Sequence, residues 1–485
     1  MIPLMETYRP PSTFCHNEQC LKELEARKEL STTVYGLQWS PKLDDNCTGG
    51  RYLVACSSFG VVCIWDILGD GKDERQEYPI SIGRRQDKSC LSLHYSNNDF
   101  LAKSNPIVRF QACVGALYDL KFHHINGKQY LIVSGNIGVL VYQWEHVLAK
   151  LDEAAGKYDS SSSQEESDLS SIQRQTTTIH VAPVSNFKTH PSVTERQGVE
   201  VNCVSCDERN GILYGAAGDL FGCYQWNLST GQLIQTLSGG VVTGFGSASS
   251  SSPSSHTDFL HSVRALSDGS ATVLTGGEDG KFGIWDGKEG KLIEMIDCRS
   301  AMNKGKLSNQ STDWQQWDRE GGNRPSSKTN SHSIWGPGHH LWVSGIDVDS
   351  GCNWAAVCGG AEGGGGNNAS RNGSASDLPS NAGGFVTLWS LRTRSLVAGS
   401  ATRENVQAVS YSHAFDRMVT TGNEPIVSFR SRTDIQPQER AWLSSPSGFA
   451  IAVNEENGVM AVGGASRRVD LFTDVGNKTL SMTFV

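Results

Sequence analysis

No apolar run in the 485 residues approaches the 18 or so that a membrane-spanning helix needs. Residues Met1 to Pro11 lack the charged-then-apolar pattern of a secretory leader. Basic residues never cluster beyond pairs such as Arg84-Arg85 and Arg467-Arg468, and 51 acidic residues outnumber 42 basic ones, for a net charge of −9. A surface that neutralises phosphates needs lysines and arginines gathered on one face, so tight direct nucleic-acid binding is disfavoured. The 13 cysteines are odd in number and follow no regular spacing. That argues against a disulfide framework and predicts free thiols in a reducing compartment. Proline is scarce at 15 residues, whereas glycine numbers 52 and tryptophan 12. Glycine thus exceeds its usual share of about 7%, and each interior glycine costs a helix roughly 1 kcal/mol. Many glycines with scattered β-branched and aromatic residues predict short strands joined by tight turns. Length alone would suggest two or three domains.

Internal repetition gives a different answer. The segment from Ser262 to Asp297 reads as four short strands: SVRALS, ATVLTGGEDG, KFGIWD and GKLIEMID. Asp279-Gly280 lies between the second and third, a strong signal for a tight hairpin turn, and Trp285-Asp286 closes the third. Third strands with a terminal aromatic recur at VVCIWD (Trp65), VLVYQW (Trp144), FGCYQW (Trp226), FVTLWS (Trp389), IVSFRS (Phe429) and VDLFTD (Phe472). Trp389 to Phe429 spans 40 residues and Phe429 to Phe472 spans 43. These match the WD40 blade period of about 40–45 residues. The fold class expected is therefore all-β, a seven-bladed WD40 β-propeller over residues 33–485, with an extension over 1–32. In IVRFQA, LIVSG and VMAVGG apolar residues point both ways, as in strands covered on both faces. All four strands of the last blade are expected from the C-terminus, so that the ring closes by packing between blades.

Longer spacings elsewhere are assigned to polar inserts at 69–106, 145–198, 241–255, 299–340 and 361–383, each outside the strand cores, where added length costs little entropy. Asn17 to Leu30 (NEQCLKELEARKEL) reads as a short amphipathic helix with Asn17 as N-cap and Leu21, Leu24 and Leu30 on one stripe, to pack on the propeller or dock on a partner. Asp159 to Ser171 is acidic and serine-rich, a composition that favours disorder.

His256, Thr275, Asp279 and Trp285 form the strongest side-chain constellation. A histidine before the first strand, a hydroxyl on the second, an Asp in the turn and the Trp can hydrogen-bond in a chain, and a complete buried network fixes one packing. A catalytic His-Asp-Thr reading is available, but the structural tetrad accounts for the same residues. Other blades are degenerate: Cys113 stands where a histidine is expected before Leu117, and Asn136 where the turn Asp would be. Cys203 and Cys206 have redox or zinc spacing. They sit on a first strand, where residues three apart face opposite sides, and no second pair completes a zinc site, so they read as core cysteines. Gly363 to Gly366 lacks the Lys-Ser/Thr of a phosphate loop and reads as a flexible loop. Trp314, Trp317 and Trp335 lie in a polar insert, either as partner-contact anchors or tucked onto a blade edge. Trp285, Asp286 and Lys288 resemble the WD-x-Arg/Lys ending by which some WD40 proteins dock on a cullin-type ubiquitin ligase adaptor. The structural reading of that ending is the simpler one. No catalytic, metal or cofactor site emerges.

Four stretches carry a more specific likeness. They are Arg51 to Trp65 (RYLVACSSFGVVCIW) with Val108 to Tyr118 (VRFQACVGALY), GGEDGKFGIWDGKEGK ending at Lys291, GGFVTLWSLRT ending at Thr393, and the C-terminal RVDLFTDVGNKTLSMTF from Arg468 to Phe484. Together they resemble the subunit 6 family of the THO complex, the WD40 member of the THO/TREX transcription–export assembly. The likeness runs through all seven blades and stops at the inserts, which make this chain longer than the family's compact form. Most of the motifs are generic to WD40 blades, so the C-terminal run carries the identification. The resemblance implies a nuclear, non-catalytic adaptor that docks on the coiled-coil THO subunits 5 and 7, helps the complex oligomerise and so serves mRNA processing and transport. A substrate receptor of a cullin-type ubiquitin ligase is the alternative.

Membership in such an assembly would tempt one to give every subunit an RNA surface. Here no segment interleaves basic with aromatic residues as single-strand binders do, and few counterions would be released on binding. The isolated chain should therefore bind single-stranded RNA at physiological salt with a Kd of about 10⁻⁴ M or weaker. Fluorescence anisotropy against labelled RNA checks this; sub-micromolar affinity that falls steeply with salt would contradict it.

Overall fold

A single four-stranded sheet would expose two apolar faces, and the second strands of this chain are apolar on both: Tyr52–Ser57 and Val459–Gly464 are buried at every residue. Such strands need cover on each side. The computed structural model supplies it by stacking seven antiparallel sheets around an axis as a β-propeller, the strands of each running in chain order from the innermost outward. It describes residues 31–42, 50–67, 105–125, 127–159, 176–187, 200–217, 221–238, 255–304, 340–362, 383–475 and 477–484. The N-terminal helix expected over 17–30 lies outside them.

Blade 4 shows the pattern most plainly, with strands Leu260–Ala265, Thr272–Gly277, Lys281–Asp286 and Lys291–Asp297. Gly280 turns between the second and third with φ 68, the left-handed conformation that a Cβ disfavours. The innermost strands of the other blades are Val34–Trp39, Leu117–Ile125, Val201–Asp207, His340–Val348, Val406–Ser412 and Gly448–Asn454. The core is not one mass. It is divided into seven clusters, each lying between two consecutive blades.

Closure uses the same device. The last blade takes all four of its strands from the C-terminal segment, through Asn477–Thr483. Its contact with the first blade is a cluster of Val34, Leu37, Leu53 and Trp65 against Ala461, Leu471, Leu480 and Phe484. Polar bonds fasten the seam: Trp39 Nε1 donates to the Ala452 carbonyl at 3.2 Å and Asn454 Nδ2 to the Gly50 carbonyl at 3.1 Å. Elsewhere the inner strands are laced blade to blade. The side chains of Asp119, Ser205, Ser262 and Asp347 accept from the backbone amides of Val204, Ala265, Ile346 and Tyr411 in the next blade, at 2.8–3.1 Å.

The structure changes two expectations about the third strands. Cross-strand register places Trp285 opposite Val273, and the equivalent pairs elsewhere are Leu53–Trp65, Leu131–Tyr142, Leu213–Trp226, Ala355–Trp389, Met418–Arg430 and Met460–Phe472. In blade 2 the anchor is therefore Tyr142 and not Trp144. Trp144 instead opens a helix, α1 (Trp144–Asp159), where its buried ring meets Phe122 edge-on at 4.9 Å. In blade 6 the anchor is Arg430 and not Phe429, since the bulge before Arg430 matches the bulge before Trp285. Phe429 packs on the other face, toward Phe472 of blade 7.

The insert assigned to 145–198 is also corrected, because it does not lie outside the strands. It holds α1, a short strand Thr177–Thr178 that joins blade 1 in parallel, and Ser185–Phe187, which is the fourth strand of blade 2. A three-residue strand bounded by polar sequence leaves too weak an alternation to read. A second helix, α2 (Cys298–Lys304), follows blade 4 and buries Cys298 and Met302 between blades 4 and 5.

Arg430 is fully buried. Its Nε donates to Thr420 Oγ1 at 2.9 Å, its Nη1 to the Ile435 carbonyl at 3.2 Å, and its Nη2 lies 4.0 Å from Glu404. Truncating it would orphan these acceptors and leave a void. Arg430→Ala should cost about 3 kcal/mol. Arg430→Trp should cost less, because the indole of other blades can fill the volume and donate to Thr420. Urea unfolding of the two variants checks the ranking; equal losses would contradict the assigned register.

Candidate functional site

The structure brings His256, Thr275, Asp279 and Trp285 together. His256 Nδ1 lies 3.0 Å from Asp279 Oδ1, His256 Nε2 lies 2.8 Å from Thr275 Oγ1, and Trp285 Nε1 donates to that same hydroxyl at 2.8 Å. The backbone amides of Thr257 and Lys281 donate to the Asp279 carboxylate at 3.0 and 3.1 Å. One order of donors satisfies every atom: the indole donates to Thr275, Thr275 to Nε2, and Nδ1 to the carboxylate. Burial pushes the Asp279 carboxyl up, but the bonds from His256, Thr257 and Lys281 outweigh it, and the net displacement is below the ordinary value. Gly283 is the member that sequence reading missed. A Cβ there would meet Thr275 Oγ1, Trp285 Nε1 and His256 Nε2, so the network closes only over a glycine. With His256, Thr275 and Trp285 buried and their polar atoms engaged, the arrangement offers no free nucleophile.

Related blades satisfy the anchor differently. In blade 5 the hydroxyl crosses to the third strand, and Trp389 Nε1 donates to Thr387 Oγ1 at 2.9 Å. In blade 1 the hydroxyl position is Ala55, and among the described residues the buried Trp65 Nε1 has no partner. Cys113 lies buried with its thiol 3.7 Å from the Gly115 carbonyl, and burial pushes that thiol up to about 11. Asn136 accepts from the Tyr118 hydroxyl at 2.6 Å.

The Trp285-to-Lys288 ending is spent largely within the fold. Trp285 is buried, and Asp286 accepts from the amides of Lys288 and Glu289 at 2.9 and 3.0 Å, capping the turn to the fourth strand. Only the Lys288 side chain of that motif is exposed. Cys203 and Cys206 are half-buried and pack on opposite faces of their strand. Cys203 packs toward the cluster shared with blade 4 and Cys206 toward that shared with blade 2. The Cys203 thiol is pushed up to about 12, by burial and then by Asp119, to which it lies 3.3 Å away. Among the described residues no group of three or more His, Cys, Asp or Glu could hold a metal ion. Trp314, Trp317, Trp335 and the Gly363–Gly366 run lie outside the described residues.

A feature that sequence reading did not find surrounds one end of the central channel. Every innermost strand carries a β-bulge at its second residue, or in blade 5 its fifth. A bulge leaves one residue unpaired and re-aims its side chain. Around the ring these are Tyr35, Tyr118, Asn202, His261, Ser344, Gln407 and Phe449, and all of them line one cavity of about 480 Å³. The aromatics are contiguous on blades 7, 1 and 2, with Tyr35 5.5 Å from Tyr118 and 5.8 Å from Phe449. The carboxylates of Glu200 and Glu278 join the lining, and Glu278 lies 3.0 Å from His261 Nε2. Among the described residues no lysine or arginine lines this cavity. The opposite end is mixed in charge, with Lys121, Arg209 and Arg264 beside Glu208 and Asp349.

No protein-family profile matches the chain. Individual relatives do. The "THO complex subunit 6 homolog" of Danio rerio is 21% identical over 461 residues, covering 94% of this chain and 98% of that protein. "THO complex subunit 6" of Homo sapiens is 21% identical over 467 residues, covering 95% of each. The chain is a distant homologue of THO complex subunit 6. The Arabidopsis thaliana protein of the same name is more alike, 26% over 223 residues, but the match spans 46% of this chain and about half, 52%, of that relative. The vertebrate matches run the length of the ring described above.

The tetrad yields a pH-dependent test. Asp279→Ala should lower stability by about 1–3 kcal/mol, the usual cost of orphaning buried partners. A carboxyl held below its ordinary 3.8 stabilises the fold fully above that value and loses the contribution as pH falls through the folded value. The gap in melting temperature between wild type and variant should thus be widest near neutral pH and narrow below about pH 4. A gap that is absent, or that widens on acidification, would show that the network does not hold the blade.

Proposed function

We propose that the chain is a non-catalytic WD40 scaffold subunit of a THO-type assembly, coupling transcription to mRNA packaging and nuclear export through protein contacts. The observation that carries this reading is the end-to-end relation to vertebrate THO complex subunit 6 over a closed seven-bladed ring. The polar chemistry of the blades supports it, because the one His-Asp-Thr constellation is buried and internally engaged. The family resemblance implies coiled-coil THO subunits 5 and 7 as partners and the nucleus as the place. With a net charge of −9, contact with the transcript would run through those partners. The ligase-adaptor alternative rests on an ending whose Trp and Asp are occupied within the fold.

Affinity purification of the tagged full chain with quantitative mass spectrometry tests the proposal. Coiled-coil THO subunits should co-purify in stoichiometric amounts. Their absence, or a cullin-ligase adaptor in stoichiometric amount in their place, would overturn it.

A further inference from the structure

We propose that the bulge-lined mouth of the central channel receives an arginine side chain presented by a partner polypeptide. The inference uses only the protein-binding part of the reading above and holds whichever assembly the partner belongs to. Three observations converge on this end of the ring.

The first is that the mouth is built by the backbone. A bulge on the innermost strand of every blade turns a side chain to the same end of the channel, where an unbulged strand would keep it in the alternation of the sheet. Ring closure itself needs none of these seven side chains to be large. Three of them are nevertheless aromatic, adjacent and only half-buried: Tyr35, Tyr118 and Phe449.

The second is charge. Among the described residues, Glu200 and Glu278 are the charged groups lining the cavity, apart from what His261 can carry; Lys121, in the adjoining channel space, is paired with Asp119 at 3.1 Å. Glu278 is matched by His261. Glu200 has the Tyr118 phenol beside it, which is a neutral neighbour, and the carboxylate contributes to pushing that phenol up. A carboxylate set against aromatic faces in a concave, partly dehydrated site attracts a cation more strongly than one on open surface.

The third is shape. Guanidinium is planar, so it can stack on a ring face while pairing edge-on with a carboxylate. A lysine ammonium offers only a point charge, and an anion or an uncharged apolar group would leave Glu200 unpaired. The cavity, about 480 Å³, holds a side chain together with part of the main chain that bears it. The Gln407 amide at the rim offers a donor and an acceptor to that main chain. At the opposite end Lys121, Arg209 and Arg264 stand beside Glu208 and Asp349, so the two ends of the channel differ in charge.

The test is selection of a random heptapeptide display library on the folded full chain, followed by calorimetry on the selected peptides. The control is the Glu200→Gln/Glu278→Gln double variant, its fold checked by circular dichroism and melting temperature. The proposal expects the selected peptides to share one arginine. Replacing that arginine with uncharged citrulline, or using the double variant, should weaken binding about tenfold or more, and lysine in its place should also weaken it. Peptides that share no arginine, arginine peptides that bind the double variant as well as wild type, or a selection that enriches nothing would each overturn it. THO subunits can still co-purify through other surfaces if the mouth stays empty, so the two proposals fail separately.

Discussion

Every strand in this protein is constrained by the fact that a blade cannot bury its own faces. Four short strands make a sheet apolar on both sides, and only another blade supplies cover. The result is seven apolar wedges, each shared by two neighbours, in place of one central core. A buried aromatic in a wedge contributes on the order of 1.5–3 kcal/mol relative to exposure, and that contribution exists only when both blades are present. The seam between the last and first blades is such a wedge too, which is why the ring closes without an exchanged strand.

Polar groups that enter these wedges must find partners there. Blade 4 does so with a four-member network closed over Gly283, blade 5 with a hydroxyl carried on the other strand, and blade 6 with a buried arginine. The anchor position is therefore fixed by geometry and not by residue type. What it requires is a large side chain that fills the space against the preceding blade, with any N–H it carries reaching an acceptor where one is within range. Trp65 fills that space opposite Ala55, and among the described residues its indole nitrogen has no partner.

The same inner strands that supply the wedges also shape the channel. Residues beyond the bulges lace blade to blade, as Asp119 and Ser262 do, while the bulged residues line the mouth, and two of these, Asn202 and Ser344, also donate to the Leu260 and Val406 carbonyls of the next blade.

The blade number, the strand order and the tetrad of blade 4 were legible in the sequence, because they rest on period, turn residues and the placement of His256, Thr275, Asp279 and Trp285 along one repeat. The resemblance carried by the four motif stretches likewise follows from linear order. Other features were not legible. Tyr142 and Arg430 occupy the anchors in place of Trp144 and Phe429, because cross-strand register decides which residue meets the preceding blade and a shift of one or two positions leaves the sequence pattern intact. The fourth strand of blade 2 arrives from within a polar insert, held by pairing and not by its own propensity. The ring at the channel mouth depends on seven bulges, and a bulge is a property of two paired strands that neither strand records alone. Linear sequence therefore determined which units form and how many, and tertiary pairing decided which side chains those units turn inward, outward and toward the axis.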